Sequence, residues 1–396
     1  MSFCQQHPIL ESLYLCQGID ILPEGESFRL FVPDPSIQYY PLCDDFGPMN
    51  MSSIIKFVRQ LDEELDEFPS CTFFYSIDTF RRSLTNAVFL LGSYMILRLK
   101  KSAEEVADSF EWLASNMTEA FRDATFSVPD FELSLLDCWR GLEKGIKQGW
   151  VDLPLSNSPF LWGEIDLEEY DHYDNPLNGD LHEVVPGKLI AFKGPRDLQG
   201  SDYLDDERGC RDFSPDFYTS LFGDFGVTAV VRLNEPQYDG RRFVERGIRF
   251  HHLEFEDCTA PPDAVVESFM TLADEAAGAV AVHCKAGLGR TGTLIGVRLM
   301  RRHGFTAREA MGWLRIMRPG SLIGEQQHYL CAAEAGAGAR GPRPAACQGD
   351  LSCAAPAVPA SAAAAEGETV SSVLAAQVTA GVRRRALRRS LSGLEF

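Results

Sequence analysis

The segment from Ala279 to His303 constrains the fold of this chain more than any other. It reads as a short apolar strand, Ala279–His283, then a loop with two glycines, then an apolar helix predicted over Gly292–His303. Cys284 and Arg290 are separated by five residues in this loop. A loop wound between a strand and a helix N-terminus points several N–H groups at one place and binds anions. The segment therefore predicts an α/β domain with an anion site at the end of a buried strand.

The residue types in the loop fit a phosphate dianion and a nucleophile. The planar guanidinium of Arg290 matches two phosphate oxygens, and helix N-termini and cations favour a thiolate, so we expect Cys284 to attack without a separate base. His283 and Thr291, on either side, can tune the thiolate by hydrogen bonding. The remaining residues of the predicted phosphate-binding loop are Lys285, Ala286, Gly287, Leu288 and Gly289. The pattern indicates cysteine-dependent hydrolysis of phosphate esters with no metal ion and no cofactor.

Two further steps of such a reaction need residues outside the loop. Asp257 lies between a predicted strand and a helix and could protonate the leaving oxygen, with Glu256 as its rival. A solvated loop carboxylate is an equal alternative on the residues alone. Gln326 and Gln327 could orient the hydrolytic water, although a glutamine pair on a surface turn is the simpler interpretation.

Periodicity divides the rest of the chain into three regions. The first half mixes alternating and helical segments, and its predicted helices are Met51–Glu67, Leu84–Lys100, Ser102–Ser115 and Glu132–Gln148. The second half alternates strands and helices, which favours an α/β fold. Its other predicted strands are Lys188–Phe192, Val227–Leu233 and Arg249–Phe255, and its other predicted helices are Pro262–Gly278 and Thr306–Met317. After Leu330 the sequence becomes rich in Ala, Gly, Pro and Ser, which predicts a disordered tail, and it ends in a basic patch over residues 383–389.

Composition narrows the class of protein. Hydrophobic residues make up 45% of the 396 residues, enough for two well-packed domains. The formal net charge of -20 argues against nonspecific nucleic-acid binding, which needs a basic face. The 11 cysteines include no C-x-x-C pair, which argues against a disulfide framework or a zinc site. The start of the chain does not resemble a secretory leader, so we expect an intracellular protein, and the apolar run Ala87–Leu97 predicts a buried helix too short to cross a bilayer.

The two halves share a weak internal echo. Phe73–Met95 lines up with Val280–Met300 as an apolar strand, a polar loop, an arginine and an apolar helix. Ser76 or a neighbour stands where Cys284 stands, and the glycines are missing. We interpret the first half as a degenerate duplicate without a nucleophile, with chance similarity of two such units as the alternative.

The loop His283–Gly292, read with Arg318-Pro319-Gly320-Ser321, resembles the Cdc-fourteen (cell division cycle fourteen) family of dual-specificity phosphatases, within the protein tyrosine phosphatase superfamily. The resemblance covers roughly residues 10 to 332. Further similar segments, in family order, are Asp45–Asn50, Phe121–Ala124, Leu135–Cys138, Tyr170–Tyr173, Asn178–Leu181, Ile190–Phe192 and Arg232–Asn234.

The resemblance implies an architecture and a set of roles. It implies an α/β fold with two tandem dual-specificity-phosphatase-like domains, joined by an acidic linker, of which only the second is catalytic. The predicted limits are 8–152 for the first domain, 153–182 for the linker, 183–333 for the catalytic domain and 334–396 for the tail. Cys284 would attack phosphorus, Arg290 would hold the phosphate and Asp257 would be the general acid. Gln326 and Gln327 would orient water, although Glu325 and His328 depart from the family pattern beside them.

The resemblance also implies substrates. Family members prefer phosphoserine followed by proline and a nearby basic residue, docked in an acidic groove that Asp171 and Asp174 would line here. We therefore expect phosphoprotein substrates, opposition to proline-directed kinases in the cell cycle, and a location in the nucleus and cytoplasm, including the centrosome, spindle or cilium base. No nucleic acid or membrane span is expected. The alternatives are a scaffold that binds phosphopeptides without turnover and a phosphoinositide phosphatase.

Overall fold

The computed structural model describes residues 6–18, 27–125, 128–151 and 165–336. These residues pack as two compact units, one formed by residues 6–151 with 296–336 and the other by residues 165–295. The division falls inside one helix, between Ile295 and Gly296. The domain limits predicted from the sequence stay a prediction, and the tail after residue 336 lies outside the described residues.

The strands are short, and most of them are apolar. Ala279–His283 is a strand with the predicted bounds. In chain order the strands are β1 (Gln6–Leu10), β2 (Leu13–Gln17), β3 (Phe28–Phe31), β4 (Thr72–Ile77), β5 (Leu181–Val185), β6 (Leu189–Phe192), β7 (Tyr203–Asp205), β8 (Arg211–Phe213), β9 (Val227–Arg232), β10 (Arg249–His252) and β11 (Ala279–His283).

The helices include all those predicted, with shifted ends. Met51–Glu67 is confirmed to the residue, and Ser102 with Glu105 forms the predicted capping box, although that helix ends at Ser109 rather than Ser115. The helices are α1 (Met51–Glu67), α2 (Arg81–Leu97), α3 (Ala103–Ser109), α4 (Leu135–Lys147), α5 (Leu167–Asp174), α6 (Pro215–Asp224), α7 (Arg241–Val244), α8 (Asp263–Glu275), α9 (Gly289–His303), α10 (Ala307–Met317) and α11 (Glu325–Glu334). None of these described helices is long and apolar enough to cross a bilayer.

The second unit is built on a five-stranded sheet in the order β10-β9-β11-β6-β5. β11 is central and runs parallel to β9 and β6, and all five of its residues are buried. A strand that is buried on both faces needs apolar side chains on both, so its sequence is a continuous apolar run, as in Ala279–Val282. Because parallel strands end at one edge, the segments that follow β9, β10 and β11 meet there. The N–H of Leu233, for example, donates to the carbonyl of His283 at 2.9 Å.

An aromatic core supports one face of this sheet. Phe192 of β6 packs edge-on against Tyr218 and Phe222 of α6, with ring centroids 4.8 and 5.1 Å away. Tyr238 and Phe243 belong to the same cluster of buried side chains. Each fully buried aromatic of this kind contributes about 1.5–3 kcal/mol of burial free energy, so the sheet edge is a stiff platform.

The first unit contains a sheet in the order β1-β2-β4-β3, in which β4 runs parallel to both neighbours. The strand–loop–helix order predicted by the internal echo is therefore present, as β4, a loop and α2. Only residues 78–80 separate the strand from the helix, and Asp78 accepts from the N–H of Phe80 at 2.8 Å and the hydroxyl of Ser83 at 2.9 Å. The Asp78 carboxylate thus lies at the start of α2, at the position that the phosphate loop takes in the second unit. α2 is buried over most of its length, as predicted for residues 87–97.

Glycines let two helices of the first unit approach closely. An added Cβ at Gly141 of α4 would lie 2.5 Å from the carbonyl oxygen of Glu309, and one at Gly312 of α10 would lie 2.7 Å from that of Asp137. Such distances are possible only without side chains, so the two backbones pack directly against each other. This contact explains why α10, late in the sequence, packs with the first unit.

Candidate active site

The predicted phosphate loop occupies residues 284–288, between β11 and α9. Cys284 is 3% exposed and follows directly on the central strand. α9 begins at Gly289, three residues before the predicted start, so Arg290 and Thr291 lie in its first turn, which contains no acidic residue. Gly287 has a φ of +71°, the left-handed region that glycine adopts without a steric cost. The helix therefore directs its free N–H groups and positive dipole end at the loop.

Arg290 is held in place by two contacts. Its guanidinium Nη1 donates to the carbonyl of Phe255 at 3.1 Å, and its Nε lies 3.1 Å from Oδ1 of Asp257. The second contact is an ion pair without hydrogen-bond alignment, since no described acceptor is aligned with Nε. The arginine side chain is 3% exposed. Because a buried cation needs partners, these contacts fix the guanidinium before any phosphate binds.

Asp257 lies in the turn after β10, and its side chain is 56% exposed. Its Oδ1 also accepts from the N–H of Cys258 at 3.0 Å. Of the two predicted candidates for the general acid, Asp257 is the one whose carboxylate contacts Arg290. An exposed carboxylate beside the phosphate clamp can meet a leaving oxygen that arrives from solvent.

His283 is fully buried beneath the loop. Its Nδ1 lies 2.9 Å from the carbonyl oxygen of Cys284, and its Nε2 lies 2.7 Å from the hydroxyl of Tyr238. Burial lowers the pKa of His283 to about 3, the Cys284 carbonyl opposes that shift, and the nearby Arg232 and Arg290 cations add to it. The imidazole is therefore neutral at physiological pH. Thr291 is also buried, and its Oγ1 has no hydrogen-bond partner among the described residues, so it can bond to the nucleophile or to a bound phosphate.

Gln326 and Gln327 lie in the first turn of α11 and are fully buried, so the interpretation as a surface turn is wrong. Oε1 of Gln327 accepts from Arg315 at 2.6 Å, and Oε1 of Gln326 accepts from the N–H of Ile323 at 3.2 Å. Nε2 of Gln326 has no partner within the described part of the chain. Both glutamines belong to the unit that does not contain Cys284, and their role with water stays a prediction.

The acidic linker predicted over residues 153–182 contains a helix, α5, which the periodicity of the sequence did not predict. Asp166 caps it by accepting from two backbone N–H groups, of Glu168 and Glu169. Asp174, at its end, lies 2.8 Å from Nε2 of His182, so its carboxylate already has a partner. Asp171 lies in the last turn. Their part in a substrate groove stays a prediction.

Gly194 is a further site residue, and motif spacing alone does not point to it. An added Cβ would lie 2.1 Å from the carbonyl oxygen of Cys284 and 2.9 Å from Nδ1 of His283. Its N–H donates to the carbonyl of Lys285 at 2.9 Å. The backbone after β6 therefore packs directly against the phosphate loop, and its only visible sequence signal is the Gly-Pro pair that ends a strand.

We expect Gly194→Ala to displace the loop, because its Cβ would meet backbone rather than a flexible side chain. The expected cost is about 1–3 kcal/mol of unfolding free energy, with a fall in kcat of about tenfold or more. Urea unfolding and steady-state kinetics measure the two effects. Gly223→Ala is the matched control, since a Cβ there meets nothing within 4 Å, and it should keep wild-type activity. Equal behaviour of the two variants would contradict the packing argument.

No group of three or more described His, Cys, Asp or Glu side chains is arranged to hold a metal ion. The site consists of a buried parallel strand, a Cys-X5-Arg loop, and a helix N-terminus that closes the loop. This is the arrangement of the protein tyrosine phosphatase class.

Comparison with known proteins agrees with that class. A family model described as dual specificity protein phosphatase, N-terminal half, matches residues 9–145. A second model, described as polymorphic toxin system, DSP-PTPase phosphatase, matches residues 212–304. The predicted mixed α/β fold with two dual-specificity-phosphatase-like regions is confirmed.

Curated relatives define the family. The dual specificity protein phosphatase CDC14AB of Danio rerio is 37% identical over 315 residues, which cover 78% of this chain and 49% of that protein. CDC14A of Homo sapiens is 36% identical over 304 residues, covering 76% and 48%, and the tyrosine-protein phosphatase cdc-14 of Caenorhabditis elegans is 37% identical over 302 residues, covering 74% and 40%. The chain belongs to the CDC14 family of dual specificity phosphatases, as its motifs predicted. It spans about half the length of the curated relatives it matches first.

Proposed function

We propose that this chain hydrolyses phosphoserine, phosphothreonine and phosphotyrosine in proteins through a phosphocysteine intermediate. The observation that carries the proposal is the position of Cys284. It lies buried between the central strand and the N-terminus of α9, with the Arg290 guanidinium held against Asp257 at 3.1 Å. The proposed nucleophile and phosphate clamp are thus both buried at the two ends of one short loop, and the proposed acid contacts the clamp. Such preorganised charge is the largest source of rate enhancement in many enzymes.

In the first step the Cys284 thiolate attacks phosphorus, and the phosphorus–oxygen bond to the leaving group breaks. The leaving oxygen takes a proton from the Asp257 carboxylic acid. The loop N–H groups and Arg290 stabilise the charge that develops on the three other phosphate oxygens. The products of this step are the free alcohol or phenol and phosphocysteine.

In the second step water attacks phosphorus, and the bond between sulfur and phosphorus breaks. The Asp257 carboxylate takes a proton from the water, which restores the acid, and the Cys284 thiolate leaves. Phosphate then departs from the loop. In this proposal Gln326 or Gln327 orients the water, as the family resemblance implies.

Substrate choice follows from charge. The chain has a formal net charge of -20, and Asp171 and Asp174 lie on α5, which packs against β5 at the edge of the sheet whose central strand leads into the loop. A basic residue downstream of a phosphoserine-Pro site is attracted by such a surface. We therefore propose preference for these sites, which proline-directed kinases produce, and a role in the cell cycle in the nucleus and cytoplasm.

The test is hydrolysis, in buffer with EDTA, of a phosphoserine-Pro peptide with a basic residue at the third following position. The comparison peptides replace Pro by Ala, or the basic residue by Ala. We expect each replacement to lower kcat/KM by about tenfold or more, since one missing contact costs 1–3 kcal/mol. Equal rates on all three peptides would contradict the substrate preference, while binding without turnover would indicate a scaffold. Turnover of phosphoinositide vesicles in place of the peptides would indicate a lipid phosphatase.

A further inference from the structure

Four residues form a row across the second sheet, directly beneath the phosphate loop. His252 of β10 pairs with Arg232 of β9, Arg232 pairs with His283 of β11, and His283 pairs with Phe192 of β6. Paired residues of parallel strands point to the same face, so these side chains stand side by side at the carboxyl edge. The row is polar in its middle although the sheet edge is buried, with Arg232 6% and His283 0% exposed. Buried polar groups of this kind require an explanation.

The polar members are joined into one hydrogen-bonded chain. Nε of Arg232 donates to Nδ1 of His252 at 3.2 Å, and Nη1 of Arg232 donates to the carbonyl of Tyr238 at 2.7 Å. The guanidinium lies 5.0 Å from the ring centroids of Tyr238 and Phe250. Arg232 therefore fixes both the backbone and the ring of Tyr238, whose hydroxyl reaches His283.

The bonds of His283 leave only one tautomer. The Cys284 carbonyl can only accept, so Nδ1 must carry the ring proton. A neutral imidazole has one N–H, so Nε2 must accept, and the Tyr238 hydroxyl must donate to it. Burial raises the pKa of Tyr238 far above its ordinary value, so the hydroxyl keeps its proton. The cations that face His283 are Arg232 from β9 and Arg290 from α9, and both oppose a proton on the ring; His252 from β10 is the other titratable group on that side, and its Nδ1 accepts from Arg232.

The hydrogen-bonded chain ends at the carbonyl of Cys284, which belongs to the first peptide of the phosphate loop. A loop whose N–H groups bind a dianion must hold its carbonyls away from that anion. The Cys284 carbonyl is bonded by His283, and the Lys285 carbonyl is bonded by Gly194. If His283 changed tautomer, its Nδ1 would repel that carbonyl, and the peptide between Cys284 and Lys285 could turn its oxygen toward the phosphate.

We propose that Tyr238 and Arg232 are positioning residues, which hold His283 in the Nδ1–H tautomer and thereby keep the first peptide of the phosphate loop directed at its anion. The proposal rests on the proposed function for the identity of the nucleophile. It assigns a part in the reaction to Arg232 of the row beneath the phosphate loop and to Tyr238, which joins Arg232 to His283.

The test compares Tyr238→Phe with Tyr218→Phe. Tyr218 is also a buried tyrosine of this unit, but its hydroxyl donates to a backbone carbonyl, that of Gly179 at 2.8 Å, whereas the hydroxyl of Tyr238 bonds to His283. Both variants lose one buried hydroxyl, so their unfolding free energies should fall similarly. We expect kcat to fall by about tenfold in Tyr238→Phe alone, as the loss of one well-placed hydrogen bond allows, with KM changed less.

Two readouts do not depend on turnover. In histidine-labelled protein, nitrogen NMR should show Nδ1 of His283 protonated in the wild type and in Tyr218→Phe, and a mixture of tautomers in Tyr238→Phe. Alkylation of Cys284 by iodoacetate at mildly acidic pH should slow in Tyr238→Phe alone. If the wild type fails to hydrolyse phosphopeptides, the proposed function fails, but these two readouts still decide the positioning role.

Arg232→Gln removes the cation and should act in the same direction as Tyr238→Phe. Combining the two variants should add little, because both act through His283. The proposal is overturned if Tyr238→Phe keeps wild-type kcat and the Nδ1–H tautomer. It is overturned equally if Tyr218→Phe loses as much activity and alkylation rate as Tyr238→Phe.

Discussion

Replacing Cys284 by Ser is expected to abolish turnover while phosphopeptide binding remains. A serine hydroxyl is a much weaker acid than a thiol, and His283 cannot take its proton, because both ring nitrogens of His283 are already bonded. Loss of a covalent nucleophile costs about 10⁴–10⁶-fold in kcat. Binding should persist because the loop N–H groups and Arg290 are unchanged. Stopped assays of phosphate release and titration calorimetry with a phosphopeptide measure the two quantities.

Cys210→Ser is the matched control for this variant. Cys210 is a buried thiol of the same unit, 7% exposed, and it lies in the turn between β7 and β8, outside the phosphate loop. Its replacement should leave kcat within about a factor of two or three, as the loss of one small buried group usually does. Residual turnover of more than a few per cent in Cys284→Ser would show that another group attacks phosphorus.

Asp257→Asn is expected to slow hydrolysis in a way that depends on the leaving group. An amide keeps the size of the carboxyl but has no proton to give, so release of the poorly leaving serine alkoxide should fall by about 10²–10⁴-fold. An aryl phosphate with a nitrophenolate leaving group needs less protonation and should be affected much less. Measuring kcat for both substrates on one preparation separates lost acid catalysis from a general loss of structure.

Glu256→Gln provides the comparison for Asp257→Asn. The two carboxylates are neighbours in sequence, and both are exposed, but among the described residues it is Asp257 that forms the ion pair with Arg290. We expect Glu256→Gln to retain nearly wild-type rates on both substrates. If it is the slower variant on phosphoserine, the assignment of the general acid moves by one residue.

The contiguous parts of the site were predictable because their chemistry is local. A strand, a loop and a helix that follow one another in sequence must also touch in space. The order of elements from Ala279 to His303 therefore predicted an anion-binding loop that holds Cys284 and Arg290. The same reasoning predicted a second strand–loop–helix segment in the first half of the chain, and β4 and α2 form it. Periodicity did not predict the start of α9 correctly. The helix begins at Gly289, inside the glycine-containing loop, because the backbone is already helical there.

Residues far apart in sequence escaped prediction for a physical reason. The sequence by itself determined the α/β class and the strand–loop–helix segment that holds Cys284 and Arg290, since each follows from short-range periodicity and motif spacing. Only the tertiary structure decided that Tyr238 and Arg232 support His283, that Gly194 packs on Cys284, and that the two glutamines are buried. Those contacts depend on which strands pair and in which register, and pairing is set by the summed burial of the whole sheet rather than by any local pattern.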